Sequence, residues 1–157
     1  MTVIIGIDPG SCRTGYGVIR LEGKRQIYIT SGHLELARYP VAERLRRIFL
    51  GLQAIITEYQ PHEAAVEQIF MHDNPNSALK LGQARGAAMV ALTVPVAEYS
   101  ARQIKKSIVG YGAAGKEQIQ YMVQQLLGLK VKPQADAADA LAVALCHANQ
   151  RSGGRVD

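Results

Sequence analysis

Apolar positions follow two different periods along this chain, and the change of period separates strands from helices. Val3-Ile4-Ile5-Gly6-Ile7 is an unbroken, mostly β-branched run that ends at Asp8-Pro9-Gly10. It predicts a strand over 2–8 with both faces buried. Further strands are expected over 17–21 and 26–36, parted by the turn signal Glu22-Gly23-Lys24. Gly10, Gly15 and Gly17 read as a tight reversal between the first two. Short turns make the three an antiparallel meander. The period then lengthens. After Pro40, residues Val41, Leu45, Ile48, Leu52, Ile55 and Ile56 fall on one helical stripe, with Glu43, Arg44, Arg46 and Arg47 mostly outside it. That helix stops before Pro61, and a strand over 63–68 follows. Strand–helix–strand implies a right-handed crossover to a parallel neighbour. Past a polar loop (72–76), the pattern gives a helix over 77–92, a short strand over 95–99, and a helix capped by Ser100 running to Val109. A glycine-rich connector (110–115) leads to helices over 116–127 and 135–149.

A meander followed by alternating helices and strands defines an α/β fold, a mixed five-stranded sheet flanked by helices on both faces. A chain of 157 residues suits one domain, here 1–149, with a flexible polar tail over 150–157. No internal repeat or linker interrupts it. Hydrophobic content of 48% with 20% charge is that of a soluble globule. The first apolar run breaks at Asp8 and lacks a basic lead, so it is not a signal peptide, and no run could span a bilayer. A cytoplasmic protein with no membrane role is expected. Cys12 and Cys146 form no C-x-x-C, and the four histidines are scattered, which argues for a reduced compartment and against zinc. Eighteen Lys and Arg against thirteen Asp and Glu leave +5, favouring a polyanionic partner.

The candidate chemistry lies in four carboxylates. Asp8 and Glu67 each end an apolar strand, where sheet enzymes place their sites. Asp136 and Asp139 sit three apart at the start of an Ala-rich helix and so share a face. Each has an ordinary explanation: Asp8 as a turn former, Glu67 as a strand-end surface residue, Asp136 and Asp139 as first-turn acids. Together they are costly, because carboxylates gathered without a counter-charge raise one another's pKa. Divalent cations reverse that, and two of them about 3.5–4 Å apart can clamp both oxygens of an in-line phosphoryl displacement. Phosphodiester hydrolysis is the chemistry this set suggests.

Lys105, Lys106 and Lys116 flank the glycine connector, while Lys80 and Arg85 lie on the 77–92 helix. Helix faces often carry such residues in solvent, but beside a metal site they can hold phosphates. Phe70 follows Glu67 into the polar loop, placed either to anchor that loop or to wedge into a base step. The 77–92 helix is small and apolar on more than one face. Burial explains this; so does close packing against a symmetry mate through Gly82, Gly86 and Ala87.

Five stretches resemble one family. Gly6-Ile7-Asp8-Pro9-Gly10-Ser11, Gly15-Tyr16-Gly17, Val66-Glu67-Gln68-Ile69-Phe70, Ser77-Ala-Leu-Lys-Leu-Gly-Gln-Ala-Arg-Gly86 and Pro133-Gln-Ala-Asp-Ala-Ala-Asp-Ala-Leu141 are similar, in order, to those of the RuvC Holliday-junction resolvases. The resemblance implies a ribonuclease-H-like fold and a homodimer that makes paired nicks in four-way DNA junctions with Mg2+ or Mn2+, two per site. It implies metal ligands at Asp8, Glu67, Asp136 and Asp139, with catalytic or DNA-contacting lysines at Lys105 and Lys116. It implies a base-stacking aromatic at Phe70, and the RuvA–RuvB branch-migration complex as partner. Some members carry histidine at the position of Asp136. Three rivals remain. An actin-like ATPase lobe could share Asp8-Pro9-Gly10, but the chain shows no second phosphate loop or second lobe. A junction-binding module without activity, and a ribonuclease acting on RNA–DNA hybrids, are the others.

Overall fold

The structure is a computed structural model and describes residues 1–69, 74–110 and 115–153. Strands β1 (Thr2–Asp8), β2 (Arg13–Glu22) and β3 (Arg25–Glu35) form the meander; α1 (Val41–Tyr59) then crosses to β4 (Glu63–Glu67). Next come α2 (Pro75–Ala91), β5 (Val96–Tyr99), α3 (Ala101–Val109), α4 (Lys116–Leu127) and α5 (Ala135–Gly153). The sheet order is β3-β2-β1-β4-β5, with β1 antiparallel to β2 and parallel to β4. This is the mixed five-stranded sheet that the pattern implied. No helix among the described residues is long and apolar enough to cross a membrane.

Strand alternation sorts the core into two layers. Val3, Ile5 and Ile7 of β1, with Ala64 and Val66 of β4, pack on Ile48 and Leu52 of α1 and on Ala84 and Ala88 of α2. Ile4 and Ala65 point the other way, toward Ile104, Ile119, Val123 and the buried face of α5. Because successive strand side chains change face, Asp8 and Glu67 fall on the α5 side. They also lie one step beyond the paired Ile7 and Val66, on adjacent strands ~4.8 Å apart. Sheet register alone therefore sets these two carboxylates side by side.

The glycines of the meander do something other than turn. Gly10 does sit in the loop after Asp8, where the Thr14 hydroxyl donates to its carbonyl at 2.9 Å. Gly15 and Gly17, in contrast, lie inside β2, which starts at Arg13 rather than at residue 17. A Cβ at Gly6 would stand 2.1 Å from the Ala140 carbonyl oxygen; one at Gly15 would stand 2.1 Å from that of Asp136. At Gly17 it would meet the Leu141 side chain at 2.7 Å. Gly6 pairs with Gly17 across β1–β2 and with Ala65 across β1–β4. Small residues thus form a trough in which the α5 backbone rests almost on the sheet. Inside it, α5 buries Ala137, Ala138, Ala140, Leu141 and the run from Ala142 to Cys146.

Helix α5 also outlasts its expected end at residue 149. It continues to Gly153. Arg151 Nε donates to Glu63 at 2.8 Å, and His147 Nε2 lies 2.6 Å from the same carboxylate. These contacts pin the far end of α5 to the start of β4. Residues 154–157 lie outside the described residues.

Because Gly6 faces backbone on α5, which cannot rotate away, Gly6→Ala is expected to cost about 3 kcal/mol through overpacking. Urea unfolding of the variant measures this; an unchanged midpoint would show that α5 does not rest on the sheet at that point.

Candidate active site

A cleft of about 440 Å³ opens at the carboxyl ends of β1 and β4, lined by Asp8, Glu67, Lys105, Gly115, Lys116 and Asp139. Three elements deliver its acids. β1 and β4 supply Asp8 and Glu67 by register, and the first turn of α5 brings in Asp139. That turn is positioned by Gly15, which lets the Asp136 backbone approach β2. Lys105 comes from α3, whose start is fixed by a reciprocal capping pair between Ser100 and Gln103. Lys116 opens α4, and its Nζ lies 3.6 Å from Asp139 Oδ2.

Burial and mutual repulsion dominate the electrostatics. The Asp8 pKa is pushed up to about 8, first by burial and then by Asp139, Glu67 and Asp136, with Lys116 opposing. Glu67 is raised by burial and by Asp139, against Lys105 and Lys116. Asp139 is raised by burial too, with Lys116 as the main opposing influence. Among the described residues, no three His, Cys, Asp or Glu side chains meet as a ready-made metal cluster. Like charges that lack a counter-ion stay apart. The donor set is nonetheless oxygen-only and partly buried, which fits a hard divalent cation and not zinc.

Asp136 is set apart from the other three. It opens onto a separate groove of about 450 Å³, shared with Ser11, Arg13, Arg44, Ser77 and Lys80. Its Oδ2 accepts from Arg13 Nε at 3.0 Å and from Gln134 Nε2 at 2.7 Å. The remaining expected contacts divide. Lys80 is exposed and lines that groove, and Lys106 is exposed on α3. Arg85 points elsewhere: it pairs with Glu98 of β5, and its side chain is only 18% exposed. That contact arises because Arg85 and Glu98 face each other across the α2–β5 junction, leaving little of the guanidinium for a phosphate. Phe70 lies outside the described residues.

The family profile described as Crossover junction endodeoxyribonuclease RuvC matches residues 4–147. Curated relatives carry the same description, two of them as follows. The one from Marinobacter nauticus is 56% identical over 99% of this chain and 95% of its own length; the one from Acinetobacter baumannii is 59% identical over 95% and 84%. Among solved structures, Thermus thermophilus RuvC in complex with a Holliday junction substrate superposes with a TM-score of 0.91. It is 35% identical, over 98% of this chain and 97% of that one. The chain belongs to the RuvC family.

Within this RuvC-family chain, all four acids expected from sequence come to the ends of β1, β4 and α5, three of them in one cleft. Two further residues went unnoticed in the sequence. Gln134 both orients Asp136 and caps α5, its Oε1 accepting the Ala137 N–H at 3.0 Å. Arg13 shares the alternation of Gly15 and Gly17, which puts it on the α5 side of β2. That period of two is written in the residues themselves and could have pointed to Arg13.

A raised carboxylate pKa makes a signed prediction. Between the unfolded value near 3.8 and the folded value of about 8, the folded chain holds a proton on Asp8 that the unfolded chain lacks. Stability from this group is therefore full below pH 4 and is lost as pH rises toward 8. In EDTA, the melting temperature of the wild type should fall between pH 5 and pH 8, and Asp8→Asn should flatten the fall and be the more stable protein at pH 8. Parallel melting profiles for the two proteins would refute the assignment.

Proposed function

We propose that this RuvC-family chain is a metal-dependent endodeoxyribonuclease that resolves four-way Holliday junctions in DNA recombination and repair, working in the cytoplasm. The observation that carries the proposal is the cleft in which Asp8, Glu67 and Asp139 face Lys105 and Lys116. It joins acids suited to hard cations with amines suited to phosphate. Asp8, Glu67, Asp136 and Asp139 would hold Mg2+, with Mn2+ able to substitute, two ions per site. Such ions supply Lewis acidity and charge neutralisation for attack of water on a phosphodiester.

The chain's own groups have separable parts. Asp8, the most strongly perturbed acid, must give up its proton to become a ligand, so ion binding releases a proton near neutral pH. Lys116 lies beside Asp139 and, with Lys105, would face the scissile phosphate. As point charges these amines would hold its non-bridging oxygens. Phe70, next to the cleft in sequence, would stack on a base.

Cutting two opposed strands at equivalent positions calls for two identical sites, which a C2 dimer supplies. We assign the interface to α2. Leu79 and Val90 are 67% and 72% exposed, and nothing surrounds a Cβ built at Gly82 or Gly86. These four positions recur at helical spacing as one apolar face, opposite the buried Ala84, Ala88 and Ala91. Ala87 packs against the core, so a charge there tests folding as much as assembly; Val90 is the better probe. The RuvA–RuvB complex would act before the cut, presenting the junction.

Cleavage of a labelled synthetic four-way junction tests the function. Symmetric, Mg2+-dependent nicks are expected in the wild type, reduced by roughly a hundred- to a thousandfold in Asp8→Asn, an extent typical of losing an electrostatic catalytic group. Binding without cutting in any metal would mean a junction-binding module, and cutting of an RNA–DNA hybrid alone would mean a ribonuclease. For the interface, Val90→Glu should sediment as a monomer at concentrations where the wild type is a dimer; an unchanged dimer would move the interface off α2.

A further inference from the structure

Asp136 and Asp139 leave the same turn of α5 but keep different company. Asp139 lines the cleft beside Lys116, whereas Asp136 lines the neighbouring groove beside Arg13 and Lys80. Two donors reach a single oxygen of Asp136, Arg13 Nε at 3.0 Å and Gln134 Nε2 at 2.7 Å. Gln134 is tied to α5 through Ala137, so it keeps the acid oriented wherever the arginine goes. Arg13 is differently placed. Its side chain is 52% exposed against 19% for Asp136, and it has a second acid at hand, Glu35, with NH1 3.9 Å from Oε1. The arginine can therefore leave Asp136 without desolvation, while the acid stays where it is. Arg44, the other guanidinium in the groove, is committed: it donates to the Tyr39 and Ala37 carbonyls and to Ser11.

A cation 3.0 Å from a prospective metal ligand lowers the local negative potential that draws a divalent ion. Resting on the assignment of Asp136 as a metal ligand, we propose that Arg13 is a displaceable counter-ion. It neutralises Asp136 until a divalent cation takes that carboxylate. Once displaced, it holds a DNA backbone phosphate in the groove it shares with Lys80. Arg13 is thus a positioning residue that couples metal binding to DNA binding. By linkage, each ligand then strengthens the other through this one side chain.

Two measurements, neither of which reads turnover, test this. In the first, Mn2+ alone is titrated calorimetrically into wild type, Arg13→Gln and Arg20→Gln. Arg20 pairs with Glu22 toward the opposite end of β2 and controls for net charge. Arg13→Gln should bind Mn2+ roughly fivefold more tightly, the scale expected for removing one partly exposed pair, and Arg20→Gln should match the wild type. In the second, fluorescence anisotropy gives the affinity for a labelled junction with and without Ca2+. The enhancement by Ca2+ should be smaller in Arg13→Gln than in wild type by roughly threefold, the loss of one exposed phosphate contact. An Mn2+ affinity in Arg13→Gln no tighter than wild type, or an enhancement equal to wild type, overturns the proposal while leaving the metal site intact. Absence of Mn2+ binding in both proteins would overturn the metal-site assignment, and this proposal with it.

Discussion

Helix α5 can bring carboxylates to the ends of β1 and β4 because at Gly6 and Gly15 its backbone lies against the sheet with no side chain between. Gly6, Gly15 and Gly17 make that approach possible, each facing α5 atoms at distances where a Cβ could not fit. That close approach is what lets Asp139 line the same cleft as Asp8. The Ala-rich composition of α5 has the same origin, since small side chains allow it to be covered by α3 and α4 while lying across the sheet. Packing of the core and assembly of the site are one event.

What is assembled is unfavourable on its own terms. Three partly buried acids share one cleft, and the fold sustains their repulsion with the stability of a well-packed two-layer core. The local remedies are a proton on Asp8, Lys116 near Asp139, and Arg13 on Asp136. Each is removable, since the proton titrates and both cations sit on largely or half-exposed side chains. A site balanced in this way is primed to accept stronger positive charge, such as a metal ion would supply.

Much of this was legible in the residues. A β-branched run gave β1 and a short apolar run, Ala64-Ala65-Val66, gave β4; the i, i+4 stripe gave α1, and Ser100 marked the start of α3. The acids stood out because each ends a strand or opens a helix. Less legible was anything that depends on how layers approach. Gly15 and Gly17 read as turn formers because glycine marks turns and close approaches alike, and only the partner helix tells them apart. The last turn of α5 was missed because Ser152 and Gly153 have little helical preference; Glu63, 88 residues away in sequence from Arg151, ties that end down. The pairing of Arg85 with Glu98 could not be read because the two lie on different elements. Long-range pairing is what a local pattern cannot carry.

In the proposed mechanism, α5 and the two strand ends build one metal-binding centre. Anomalous diffraction from a crystal soaked in Mn2+ would address it most directly. Density is predicted in the cleft bounded by Asp8, Glu67 and Asp139, with Lys116 withdrawn from Asp139 and Arg13 from Asp136. Anomalous peaks elsewhere on the surface, with the cleft empty and both ion pairs intact, would contradict it.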